Sequence, residues 1–173
     1  MYVGHVGAAL GGKRYAPSVS LALLVFVAYL PDWVDAALCV TGGYRDAQMY
    51  SHSIPAVAVL AILAACTQLG KPDLRAALIV AAVVISHVLL DYLTGIKPTW
   101  PGGPTIGLEL YSRPTVDFIA EAAVIAVGWM LYRPSLPAGA RPWRWSTIML
   151  AVLLLLQAGV DLGKLLFPSI NKC

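Results

Sequence analysis

Five stretches of this chain are too apolar and too poor in charge to be helices of a water-soluble domain. They cover residues 18–40, 54–69, 74–94, 116–132 and 147–167. A helix needs about 20 mostly apolar residues to cross roughly 30 Å of hydrocarbon. Within lipid the backbone must satisfy its own hydrogen bonds, so helices are expected even where alanine and β-branched residues abound. Charge confirms the class. Only 12% of residues are charged and 59% are hydrophobic, with a mean hydropathy of +0.75, whereas soluble domains carry roughly 25% charged residues. The net charge of +3 is too small to mark a nucleic-acid partner, and none is expected. The expected fold is all-α: a polytopic membrane helical bundle of about five transmembrane helices, forming one integral-membrane domain over residues 1–173.

Residues 1–14 are too short to span. At 1.5 Å per residue they reach about half-way across a bilayer, and Gly4, Gly7, Gly11 and Gly12 permit close helix contact. They read as a half-inserted or re-entrant helix tucked against the bundle. The connection 94–115 holds Pro98, Pro101, Gly102, Gly103 and Pro104. A loop of about twenty residues usually has a function, and Trp100 and Tyr111 suit an interface. Cys39 and Cys66 read as small buried hydrophobes. No C-x-x-C is present, so sulfur is not expected to hold a metal.

The polar residues fall in one layer. Asp32 and Asp35 end the first span, His52 opens the second, His87 and Asp91 lie near the end of the third, and Asp117 and Glu121 near the start of the fourth. Successive spans alternate in direction, so these positions share one membrane face. Asp161 joins them, as does His5 if the N-terminal helix dips back. Eight of the nine acids and all three histidines lie there, with five bases; the opposite face has seven bases against Asp73 alone. Charged groups at membrane depth are costly and usually functional. The basic excess on the other face is a modest positive-inside signal that points the layer out of the cytoplasm.

Spacing groups these residues further. His87 and Asp91 are four apart, as are Asp117 and Glu121, while Asp32 and Asp35 are three apart, so each pair shares a helical face; Pro31 is expected to bend the first span. Imidazole and carboxylate together suit a divalent metal, zinc first, with manganese, magnesium or iron(II) as alternatives. Three histidines and at least three carboxylates exceed one tetrahedral zinc, so the expectation is one to three ions, some acids acting as base or as supports for the ligands. Bland readings exist for each: a hydrogen-bonded His87–Asp91 pair, interfacial Asp32 and Asp35, a polar helix start at His52.

The elements His5 with Gly7 and Gly11, Pro31-Asp32-Trp33-Val34-Asp35, Ser51-His52-Ser53 and His87-Val88-Leu89-Leu90-Asp91 resemble the YdjM-like family of inner-membrane metal-dependent hydrolases, over residues 1 to about 121. The resemblance implies a prokaryotic inner-membrane protein whose metal ligands would be His5, Asp32, Asp35, His52, His87 and Asp91. A more distant likeness is to zinc-dependent phospholipases C, whose sites hold more histidines than this chain has. Asp117 takes a position where such a site would have histidine, and is kept as a further candidate ligand.

Such a site at headgroup level suits hydrolysis of a phosphoester in a membrane lipid or lipid-linked substrate. Asp35 or Glu121 is the expected general base, and Arg113, Lys97 and Arg45 the candidate phosphate contacts. No H-E-x-x-H or G-x-S-x-G is present. The rivals are an ion or proton transporter and a non-catalytic scaffold.

Overall fold

The computed structural model describes residues 1–41, 48–70, 73–136 and 143–166. Arg45 and Asp46 lie outside these. Helices follow in the order α1 (Gly4–Tyr15), α2 (Leu21–Ala28), α3 (Leu30–Val40), α4 (Gln48–Ser51), α5 (Ile54–Cys66), α6 (Leu74–Thr94), α7 (Pro114–Tyr132) and α8 (Trp143–Leu166). Between α6 and α7 the chain forms a hairpin of two-residue strands, β1 (Lys97–Pro98) and β2 (Thr105–Ile106), paired antiparallel. Apart from this hairpin the described residues are all-α.

Local chemistry sets the breaks. The Ser20 hydroxyl accepts the Leu23 amide at 3.1 Å and caps α2. Pro31 lies in the first turn of α3, where it has no N–H to continue the ladder, and α2 and α3 meet at 56°. The bend expected at Pro31 is present. Asp73 caps α6 by accepting the Ala76 amide at 3.0 Å, while its other oxygen accepts the Ser18 hydroxyl at 2.8 Å. Pro114 opens α7, a position where its missing N–H costs nothing.

Among the described residues three helices are long and apolar enough to cross a membrane, Leu74–Thr94, Pro114–Ser135 and Arg144–Leu166, or four if bent α2–α3 is one span. The expected span over 54–69 is a helix of 13 residues, about 20 Å long and short of a bilayer. Ser53, extended at its N-cap, and the turn after Cys66 limit it. Its outer face is lipid-like all the same, with Val59, Ile62 and Leu63 exposed.

The short N-terminal helix lies at the centre. α1 packs on α7, α2 and α6, and its Gly4, His5, Gly7, Ala9, Leu10, Gly11 and Gly12 are buried. Gly7 and Gly128 meet backbone to backbone: a Cβ on Gly128 would overlap the Gly7 main chain, and one on Gly7 would fall 2.6 Å from the Val124 carbonyl oxygen. Small residues thus let the helices approach as closely as backbone allows. Below the polar layer the centre is dry, filled by Leu10, Leu24, Val80, Val84 and Ile125, each at most 1% exposed.

Gly128→Ala is therefore expected to destabilise the fold by about 1–3 kcal/mol, the usual cost of overpacking. Gly159→Ala, whose Cβ would meet nothing within 4 Å, is expected to be neutral or stabilising by up to about 1 kcal/mol. Thermal unfolding of the two variants in one detergent compares them; equal midpoints would mean that α1 and α7 are not in close contact.

Candidate metal centre

Five side chains from four segments converge at one end of the bundle: His5 from α1, Asp32 from α3, His52 from the α4–α5 corner, and His87 and Asp91 from α6. His87 sets the chemistry. Its Nδ1 lies 2.7 Å from the Ala28 carbonyl oxygen, which can only accept, so Nδ1 carries the proton. In the neutral ring Nε2 then presents its lone pair to the centre. A metal-ligating histidine is normally fixed in this way. His52 Nε2 lies 3.2 Å from His87 Nε2, and Ser51 Oγ holds His52 Nδ1 at 2.7 Å. Burial pushes the His52 imidazole below its ordinary pKa, partly opposed by Asp32, which favours the neutral ligand form.

His5 arrives from the other side. Its ring stacks on His87 with centroids 3.9 Å apart and planes within 10°, and Tyr29 meets it edge-on at 5.4 Å. Its Nε2 stands 3.3 Å from Asp91 Oδ1, yet neither ring nitrogen completes a hydrogen bond among the described residues, although the residue is 1% exposed. An unsatisfied buried polar group costs about 1–3 kcal/mol. A cation shared with Asp91 would remove that cost.

The carboxylates join two sets. Asp91 Oδ1 faces His5, and its Oδ2 lies 3.4 Å from His52 Nε2 and 3.6 Å from His87 Nε2. Asp32 Oδ1 lies 3.1 Å from His52 Nε2 and 3.6 Å from His87 Nε2. The sets His5–His87–Asp91 and Asp32–His52–His87 each bring their ligating atoms within 4.8 Å of one another. They share His87, and Asp91 touches both. The donors are imidazole nitrogen and carboxylate oxygen, a set that fits zinc and other borderline divalent ions. The Asp32 side chain is 43% exposed, so the centre opens outward on that side. Two ammonium groups complete the surroundings of Asp91: the Met1 amino group, also in contact with the Tyr111 hydroxyl, and buried Lys97, whose Nζ lies 3.4 Å from Oδ2.

The remaining candidates lie elsewhere. Asp35, half-buried on α3, belongs to neither set, and Arg113 is exposed just before α7. Asp117, expected among the ligands, pairs instead with Lys164 at 3.2 Å, and Lys164 reaches Asp161 at 3.1 Å while lying over the Tyr2 and Tyr111 rings. Glu121, expected as a base, accepts backbone amides of residues 2 and 4. Residues the sequence reading did not place at the site are Met1, Tyr2, Tyr29 and Gln157. Gln157 had a signal, as a lone amide four residues before Asp161 in an otherwise apolar helix; the others arrive only through folding.

The family of the YdjM inner membrane protein matches residues 1–165. The chain belongs to this family. That makes it an inner membrane protein, in keeping with the long apolar helices, and the match runs through α8, well past the residue-121 limit of the sequence resemblance. No curated protein and no solved structure matches it.

Asp91→Ala would remove the carboxylate that faces Lys97, the Met1 amino group and three imidazoles. Breaking a buried charge cluster on one side costs about 3–5 kcal/mol, and a loss of that size is expected in metal-free detergent. Asp35→Ala is expected to cost about 1 kcal/mol or less. Thermal unfolding decides, and equal losses would mean that Asp91 is not the shared partner of the cluster.

Proposed function

We propose that this protein is a multi-pass, membrane-embedded metal-dependent hydrolase that cleaves a phosphoester of a phospholipid or lipid-linked substrate at headgroup level. The observation that carries the reading is the convergence of three buried imidazoles on Asp32 and Asp91, with both ring nitrogens of His5 lacking a hydrogen bond among the described residues. His5, His87 and Asp91 would hold one ion, Asp32, His52 and His87 the other, zinc being the first candidate. A divalent ion bound there would make water nucleophilic near neutral pH and offset charge on phosphoryl oxygens.

The chain's own residues then divide the remaining work. Lys97 brings a buried ammonium to Asp91 from the β1–β2 hairpin, in position to meet an anionic substrate oxygen. Arg113 is the candidate for an outer phosphate oxygen, which a guanidinium fork matches. Asp35, one turn beyond Asp32 and outside both sets, is the candidate general base. Exposed Trp33 and Trp100 suit the headgroup boundary around the opening.

In this reading the site faces the extracytoplasmic side. The basic excess on the opposite face supports this. Cys66, read from sequence as buried, is free and exposed at the far end of α5.

Two measurements test these readings. Protein purified without chelator is expected to carry one to three equivalents of zinc, manganese or iron by elemental mass spectrometry, and to release phosphorylated headgroup from phospholipid micelles. His87→Ala with Asp91→Ala is expected to lose both. A wild-type protein that binds no metal even after add-back sinks the mechanism. For orientation, a membrane-impermeant maleimide should label Cys66 only after the inner membrane is opened, with Cys66→Ser as control. Labelling in intact spheroplasts would reverse the topology.

A further inference from the structure

α1 starts against α7 and α8, and its N-cap residue Val3 offers no side-chain acceptor. The first amides of any helix lack partners within it. Here the partners come from two other helices. Glu121 on α7 accepts the Tyr2 amide at 2.8 and 3.0 Å and the Gly4 amide at 2.9 Å. Gln157 on α8 accepts the Val3 amide at 3.1 Å. Three consecutive N–H groups are thus satisfied by two fully buried side chains, and the next residue is His5.

We propose that Glu121 and Gln157 are positioning residues that hold His5 at the centre by capping α1 from outside. The proposal rests on the metal reading above for its consequence and on the hydrogen bonds alone for its mechanism. Both Glu121 oxygens are committed to backbone donors, which leaves this carboxylate as an anchor and moves it out of the general-base role. Its negative charge also sits at the positive end of the α1 dipole. Gly4 lets it approach, since a Cβ there would lie 3.3 Å from Glu121 Oε2. Gln157 is held in turn: its amide donates to Asp161 Oδ2 at 2.9 Å, which leaves its carbonyl oxygen facing Val3. The metal set therefore becomes complete only when α1 is docked on α7 and α8.

Cobalt(II) titration of the full chain in detergent, followed by its visible spectrum, tests this. Glu121→Ala is expected to weaken binding about 10–100-fold, the range typical of residues that orient a ligand. Glu121→Gln, which keeps one carbonyl acceptor, should recover part of the loss, a rescue no general base would give. The double variant His5→Ala, Glu121→Ala should bind no more weakly than His5→Ala alone. Wild-type affinity in Glu121→Ala, or losses that multiply in the double variant, would overturn the proposal. Should Glu121→Ala fail to fold, Gln157→Ala, which removes one acceptor, carries the test with a several-fold loss expected. If the wild-type protein takes up no cobalt, the metal reading fails and hydrogen exchange decides the anchor by itself. Amides of α1 exchanging at least about tenfold faster in Glu121→Ala or Gln157→Ala would uphold it, and unchanged protection would refute it.

Discussion

The amides of Tyr2, Val3 and Gly4 have no acceptors within α1, and Glu121 and Gln157 supply them from two other helices. Much of the architecture depends on that exchange. A twelve-residue helix is too short to span and marginal in isolation, so α1 holds its place only through contacts with its neighbours. Gly7 against Gly128 brings the backbones together along the helix, and Glu121 and Gln157 fix its beginning. His5, the only imidazole on α1, is thereby set against His87. A side chain on a short, largely buried helix is placed by residues more than a hundred positions away.

The centre concentrates charge that the surrounding helices would not tolerate singly. Asp91 faces three imidazoles, Lys97 and the Met1 amino group, while Lys164 serves Asp117 and Asp161 a few side chains away. Two distinct clusters come from one layer of acids: the first offers nitrogen and oxygen donors to an ion, and the second is met by a lysine. A buried carboxylate needs a cation or a donor, and these two solutions explain why acids at one depth need not share one role.

How far this was legible in the sequence follows from the same distinction. The four-residue spacing of His87 and Asp91, the bend at Pro31 and the shared depth of Asp32 and His52 are local or periodic properties that need no tertiary information, whereas His5 reaches that depth only through the docking of α1. Asp117 and Glu121 have the same four-residue spacing as His87 and Asp91, and nothing in that pattern tells a carboxylate facing imidazoles from one facing a helix start. The difference lies in what arrives opposite α7: Lys164 at one position and the first turn of α1 at the other. The helix from Ile54 was likewise read as a span on its apolar content, whereas its length is set by the turns at Ser53 and after Cys66. Hydropathy reports the environment of a helix and says little about where it ends.

The depth profile also bears on what the centre does. An ion or proton pathway needs polar groups continuing away from the site, and along the three central helices they stop. On α1 the buried Leu10 follows five residues after His5, on α6 Val80 and Val84 lie within two turns of His87, and on α7 Ile125 is one turn below Glu121. Together with Leu24 they form a dry floor. On the opposite side the Asp32 side chain is 43% exposed and the hairpin carrying Lys97 closes the rim. The centre is thus reached from the side of Asp32, while on the far side Leu10, Leu24, Val80, Val84 and Ile125 separate it from the opposite end of the bundle.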